Sequence, residues 1–132
     1  TVTNLNIDMI GRTDPERPKR NREYIYIIGS DRISQDLHDI NHEVNDLYLN
    51  IDLDYVFNAE DDPNRFYYRS DHYNFAKNGV PAIFYFSGTH EDYHQPTDTV
   101  EKIQYDLLEL RTKLIFHTAW EIANRKDRIK SN

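Results

Sequence analysis

Asp8 and His94 are the side chains whose types and positions could do chemistry together, and that chemistry would be metal binding. Asp8 closes an apolar-alternating segment, residues 1–8, and stands just before Gly11. Burying an unpaired carboxylate is costly, so an acid at the end of a strand must meet a cation or hydrogen-bond donors. Taken alone, it is explained more readily by capping or a salt bridge than by a metal. His94 falls in His90-Glu91-Asp92-Tyr93-His94. That string matches H-E-x-x-H, in which two histidines a helical turn apart bind zinc and the glutamate acts as base. The chemistry requires a helix, yet Ser87-Gly88 precedes the segment and Gln95-Pro96 follows it, at positions that break helices. A loop is expected instead, in which His94 acts alone or with distant partners. The chain has no cysteine, so any metal must be held by Asp, Glu or His, and disulfides and thiol nucleophiles are excluded.

The other candidates have blander readings. His38 and His42 are spaced i, i+4 on an acidic stretch, where solvent exposure is the simpler account. His117 and Trp120 fall in the last apolar-periodic segment, where packing explains them. His90, Glu91 and Asp92 are expected at a rim, where acids could attract a free α-amino group. The ten tyrosines are expected mostly to pack.

The elements that must position these residues are legible from periodicity. With 132 residues, 38% of them hydrophobic, one domain with a real core is expected. A net charge of −7 and a pI near 5.3 offer no basic surface for phosphate backbones, which argues against nucleic acid as a partner. No apolar run approaches the roughly 20 residues that span a bilayer. Residues 1–8 read as a strand with no charged leader before them, so the chain is expected to begin within a fold, and a signal peptide upstream is left open. Residues 12–22, charged and carrying two prolines, read as an exposed loop. Tyr24 to Ile28 reads as a buried strand closed by Gly29-Ser30. From Ser34, the residues Leu37, Ile40, Val44, Leu47 and Tyr48 predict an amphipathic helix. Ile51 to Phe57 alternates as a short strand before a loop. A short helix over Tyr73 to Lys77, capped by Ser70 or Asp71, is ended by Asn78-Gly79. Residues 80–87 form a further strand, and a helix of about 20 residues begins near Ile103. Strands separated by helices predict an α/β, three-layer fold with a mostly parallel sheet flanked by helices. Ligands gather at the carboxyl ends of such strands, so Asp8 and residues 88–99 should open onto one edge.

Three segments then resemble one family. Asn6-Ile7-Asp8-Met9-Ile10-Gly11 is similar to the strand, ending in a zinc-ligand Asp, of the zinc aminopeptidases with two co-catalytic metals, relatives of glutamate carboxypeptidases and glutaminyl cyclases. Ser70-Asp71-His72 followed by Phe75 to Ala82 resembles that family's pocket-forming segment, and Tyr93-His94-Gln95-Pro96-Thr97-Asp98-Thr99 its last ligand loop. The three stand in the family's order over residues 6–99.

The resemblance implies a phosphorylase/hydrolase-like fold and metal-assisted hydrolysis of N-terminal residues from peptides, with two zincs in the complete site. It implies that Asp8 and His94 bind one zinc, that Tyr67 donates a hydrogen bond to the developing oxyanion, and that Asp71, His72 and Tyr93 shape the pocket or orient the ligands. The family's His-x-Asp and Glu-Glu pairs precede the Asp8 strand, so residues 1–132 are expected to be the C-terminal part of a single catalytic domain whose N-terminal part is missing. Such a part is expected to be inactive alone, since zinc takes at least three protein ligands. A secreted or periplasmic location is implied by the resemblance only. A single-zinc glutaminyl cyclase-like acyltransferase, or a binding domain that kept the fold and lost the site, are the alternatives. Side-chain preference and oligomeric state are not legible.

Overall fold

The computed structural model describes all of residues 1–132. Its elements are β1 (Asn4–Ile7), β2 (Tyr24–Ile28), α1 (Gln35–Val44), β3 (Asp52–Asp54), α2 (His72–Ala76), β4 (Ala82–Phe86) and α3 (Tyr105–Asn124). The four strands form one sheet in the order β1-β4-β2-β3. β1 runs parallel to β4 and β2 parallel to β3, while β2 and β4 pair antiparallel. The sheet is therefore mixed, with one antiparallel pairing at its centre. The cause lies in residues 8–23, which do not cross a face but stay at the edge where β1 ends, so β2 starts there and runs back.

Strand alternation assigns the two faces. Ile25, Ile27, Ile83 and Tyr85 point to one side, where they pack with Leu37, Ile40 and Val44 of α1 and Leu114 and Ile115 of α3. Tyr24, Tyr26, Ile28, Phe84 and Phe86 point to the other and gather Phe66. α2 covers β4 and β1, so helices flank both faces and the fold is three-layered α/β. Burying each such side chain is worth about 1.5–3 kcal/mol, which makes these two clusters the main driving force.

α1 starts where Ser34 accepts a hydrogen bond from the Leu37 amide. It passes into a wider π turn, Asn45–Leu49, that ends at left-handed Asn50. Asn45 then exchanges two hydrogen bonds with the Ile51 backbone, fixing the entry into β3. Inside, Asn41 Oδ1 accepts from Tyr85 Oη (2.6 Å) and Thr118 Oγ1 (3.2 Å), joining α1, β4 and α3 through one buried side chain.

Residues 12–22 form the expected loop, with Pro15, Glu16, Pro18, Lys19, Arg20 and Arg22 exposed, but the loop is anchored: Asp14 is buried and accepts from Tyr26 Oη, and Arg17 pairs with Asp52 and Asp54 while its guanidinium lies 3.8 Å over the Tyr24 ring. Trp120 is 60% exposed rather than packed, because it stands on the outer face of α3 with Phe116. No helix is long and apolar enough to cross a membrane.

Candidate functional site

β1 and β4 are parallel, so the segments after them emerge at the same edge, and these carry Asp8 and His94. The β1–β4 ladder runs up to Asp8, whose amide donates to Tyr85 O (3.2 Å). Asp8 Oδ2 accepts from Ser70 Oγ at 2.8 Å, and Ser70 Oγ in turn accepts from Asn6 Nδ2 at 2.9 Å. Asn6 and Asp8 share one face of β1 because they are two residues apart, and Ser70 bridges them just before α2. One carboxylate oxygen is thus held in place by a hydroxyl.

The turn after Asp8 is tight and over-determined. Met9 adopts φ 59, a left-handed conformation that costs a non-glycine residue about 1–3 kcal/mol. Its carbonyl accepts from the Ser87 amide (3.0 Å), and the Ser87 hydroxyl lies 2.6 Å from the same oxygen. Arg111, 1% exposed on α3, donates to Ile10 O (2.7 Å), Arg12 O (2.9 Å) and Tyr24 O (2.9 Å). Burial lowers its pKa from the usual arginine value, and the Tyr24 ring and Asp106 partly offset this.

His94 sits in a four-residue turn closed by Gln95 N donating to Asp92 O (2.9 Å), and is itself left-handed at φ 56. The H-E-x-x-H segment is therefore not helical, as the flanking residues indicated. The His94 ring is exposed and stacks on Tyr93, with centroids 3.9 Å apart. Tyr93, half-buried, lines a cavity of about 20 Å³ together with Asp8, Met9, Phe66, Arg69, Phe84, Phe86 and Thr89. The structure thus brings Tyr93 to Asp8 and His94 onto Tyr93. A wider cavity of about 460 Å³ adjoins it, sharing Phe66, Phe86 and Thr89.

The remaining predicted site residues are placed as follows. His72 is fully buried and stacked on Phe84 at 4.8 Å, with no well-formed hydrogen bond to either ring nitrogen. Burial lowers its pKa, offset in part by the Tyr67 backbone and by Asp8, so the ring is a neutral plate beneath the aromatic wall. Asp71 is exposed at the position just before α2 and makes no capping hydrogen bond. Tyr67 packs where a side chain on Gly29 would stand, 2.6 Å from a Cβ built there, with Arg32 over its ring at 4.0 Å. Gly29 follows β2 and lies beside Ala82, at the amino end of β4. Tyr67 is not among the residues that line the Asp8 cavity, whereas its neighbour Phe66 is.

Asp92, expected at a rim, is 3% exposed and paired with Lys102 Nζ (2.7 Å) and Arg12 Nη2 (3.1 Å). These contacts, the Lys102 bond first, hold its pKa well below the usual carboxylate range. It is committed and cannot receive a free amino group, whereas Glu91 is exposed. His38 bonds Ser30 at 2.9 Å and His42 approaches Asp46 at 3.3 Å, so both are accounted for without a metal. His117 stacks on Tyr48. Reading the sequence missed the bond from Ser70 to Asp8. A polar Asn6 two residues before Asp8 in an apolar strand was the available signal. Arg12 was missed too, and nothing local could have disclosed partners at positions 92 and 98.

As zinc donors, a carboxylate and an imidazole are chemically suitable, and the oriented Asp8 fits that use. Nowhere, however, do three or more His, Cys, Asp or Glu side chains gather as a complete shell requires.

An open α/β sheet, helices on both faces, and a carboxylate and an imidazole presented at the shared carboxyl edge of two parallel strands define a class of hydrolase-like domains. Within that class the chain belongs to peptidase family M28, whose model matches residues 1–119. The LapA aminopeptidase of Legionella pneumophila has the same fold, with a TM-score of 0.72 at 20% identity over 96% of this chain. The match spans 32% of that aminopeptidase, so this chain corresponds to about a third of its length. No curated protein matches.

Proposed function

We propose that these residues are the C-terminal part of the catalytic domain of a zinc aminopeptidase, which removes N-terminal residues from peptides. The observation that carries the reading is the shared edge: Asp8, oriented by Ser70, and His94, on its left-handed turn, follow two parallel strands of an M28 fold. His94 and Met9, the residue that follows Asp8, stand at backbone conformations that cost energy, and such strain concentrates at functional sites.

In this reading Asp8 and His94 are ligands to one zinc, and further ligands and the general base come from the part of the domain outside these residues. Zinc, when bound, supplies Lewis acidity toward the scissile carbonyl and the attacking water. Ser70 fixes one oxygen of Asp8 so that the other is free to face the metal. Tyr93 closes the side of the Asp8 cavity against solvent and supports the His94 ring. Phe66, Phe84 and Phe86 make its apolar wall, and neutral His72 backs that wall without adding charge. Tyr67, held by Gly29 and Arg32, acts in packing.

The test is hydrolysis of aminoacyl anilides by the full-length protein. Release of aniline from free-amino substrates, abolished by chelator and restored by zinc, and refusal of N-acetylated substrates are the expected results. Cyclisation of N-terminal glutamine without anilide hydrolysis would move the assignment to the cyclase relatives. Absence of both with no zinc bound would make this a binding domain.

A further inference from the structure

Resting on that reading, we infer that Arg12 is a positioning residue that clamps the His94 turn to the Asp8 turn, so that the two proposed ligands form one rigid unit. From the turn that follows Asp8, its guanidinium reaches across to the loop after β4. There Nη2 meets Asp92 Oδ2 at 3.1 Å and Nη1 meets Asp98 Oδ1 at 3.3 Å, one contact on each side of His94.

Both ends of this strut are fixed. On the Asp8 side, the Arg12 carbonyl accepts from Arg111 Nη1 (2.9 Å) and lies 2.7 Å from Ser87 Oγ, so the backbone carrying the guanidinium cannot drift. On the His94 side, Asp92 is both the buried anchor and the residue whose carbonyl closes the turn. His94 is left-handed, a strained conformation for a side-chain-bearing residue, and it persists only if its surroundings hold it. Asp92 has a second cation, Lys102, so loss of Arg12 leaves its charge partly compensated while freeing the loop from the Asp8 turn. Arg12 therefore acts through geometry: an imidazole placed about 1 Å away from its productive position weakens metal binding even though the ligand is present.

The experiment measures zinc affinity of the full-length protein by competition with a chromophoric chelator, alongside thermal melting of the metal-free protein. Arg12→Met and Asp92→Asn are expected to weaken one zinc by about 10–100-fold, the range for loss of a ligand-orienting contact. Arg12→Lys keeps the charge but cannot span Asp92 and Asp98 together, and is expected to fall between Arg12→Met and the wild type. It also serves if Arg12→Met does not fold. Melting of the metal-free Arg12→Lys protein should match the wild type, which separates placement of a ligand from general loss of structure. Zinc affinities of folded Arg12→Lys and Asp92→Asn within twofold of wild type would overturn the clamp and leave the zinc reading standing. A wild-type protein that takes up no zinc would overturn both.

Discussion

Ser70 makes one hydrogen bond to Asp8, and that bond is the only fixed partner of the carboxylate's Oδ2. Replacing Ser70 with Ala removes it without changing the ligand set, so zinc affinity in the full-length protein should fall by about tenfold or more while the fold is retained. Chelator competition checks this, and unchanged affinity would show that the hydroxyl does not orient Asp8. His72 makes a separate prediction. Its folded pKa is lowered by burial, so below about pH 6.5 the unfolded chain takes up a proton that the folded chain refuses. The associated stability is complete above that pH and is lost as the pH falls toward the lowered value. Urea midpoints should drop between pH 7 and pH 5, and His72→Phe, which keeps an aromatic plate on Phe84, should flatten that slope. An equal slope in both proteins would contradict a neutral buried ring. Asp8 and His94 were legible as residues because an acid after an apolar strand and a histidine before Gln95-Pro96 stand out locally. The roles of Tyr67 and Asp92 were not, since each depends on a partner brought near only by folding: Gly29 and Arg32 for one, Arg12 for the other.

At the scale of elements, α3 does more than cover the sheet. Arg111 projects from it into the core and satisfies three carbonyls, at the start of β2 and along the Asp8 turn. Arg111→Met fills much of the same volume but removes the guanidinium donor from Ile10 O and Tyr24 O, while Arg12 O keeps the Ser87 hydroxyl. A loss of roughly 2–3 kcal/mol in chemical denaturation is expected, with the Asp8 turn loosened first. A loss below about 0.5 kcal/mol would mean that water replaces the guanidinium freely. Such a residue was invisible to periodicity, which reads Leu107, Leu114 and Ile115 as the buried stripe and assigns a charged residue to solvent. α1, β2 and β4 followed their patterns because each has a full apolar face: α1 through Leu37, Ile40 and Val44, and β2 and β4 through uninterrupted burial. Leu47 and Tyr48, read as part of the α1 stripe, are instead exposed on the π turn, and the strand expected over Ile51 to Phe57 is only Asp52–Asp54. The antiparallel pairing of β2 with β4 did not follow, since strand direction is set by the route of residues 8–23 and not by side-chain alternation.

For the whole molecule, membership of peptidase family M28 and the three-layer fold agree, while the donor count falls short of a zinc shell. The two are reconciled if, as proposed, the described residues are part of a larger catalytic domain; they correspond to about a third of the length of the LapA aminopeptidase. Residues 1–132 expressed alone are therefore expected to bind zinc weakly and to release no aniline from aminoacyl anilides. The central claim, that Asp8 and His94 bind one zinc, is tested most directly by zinc content per chain after gel filtration of the full-length protein. Wild type is expected to retain zinc, and Asp8→Ala and His94→Ala each to lose one zinc equivalent while remaining folded. Full zinc content in both variants would contradict it.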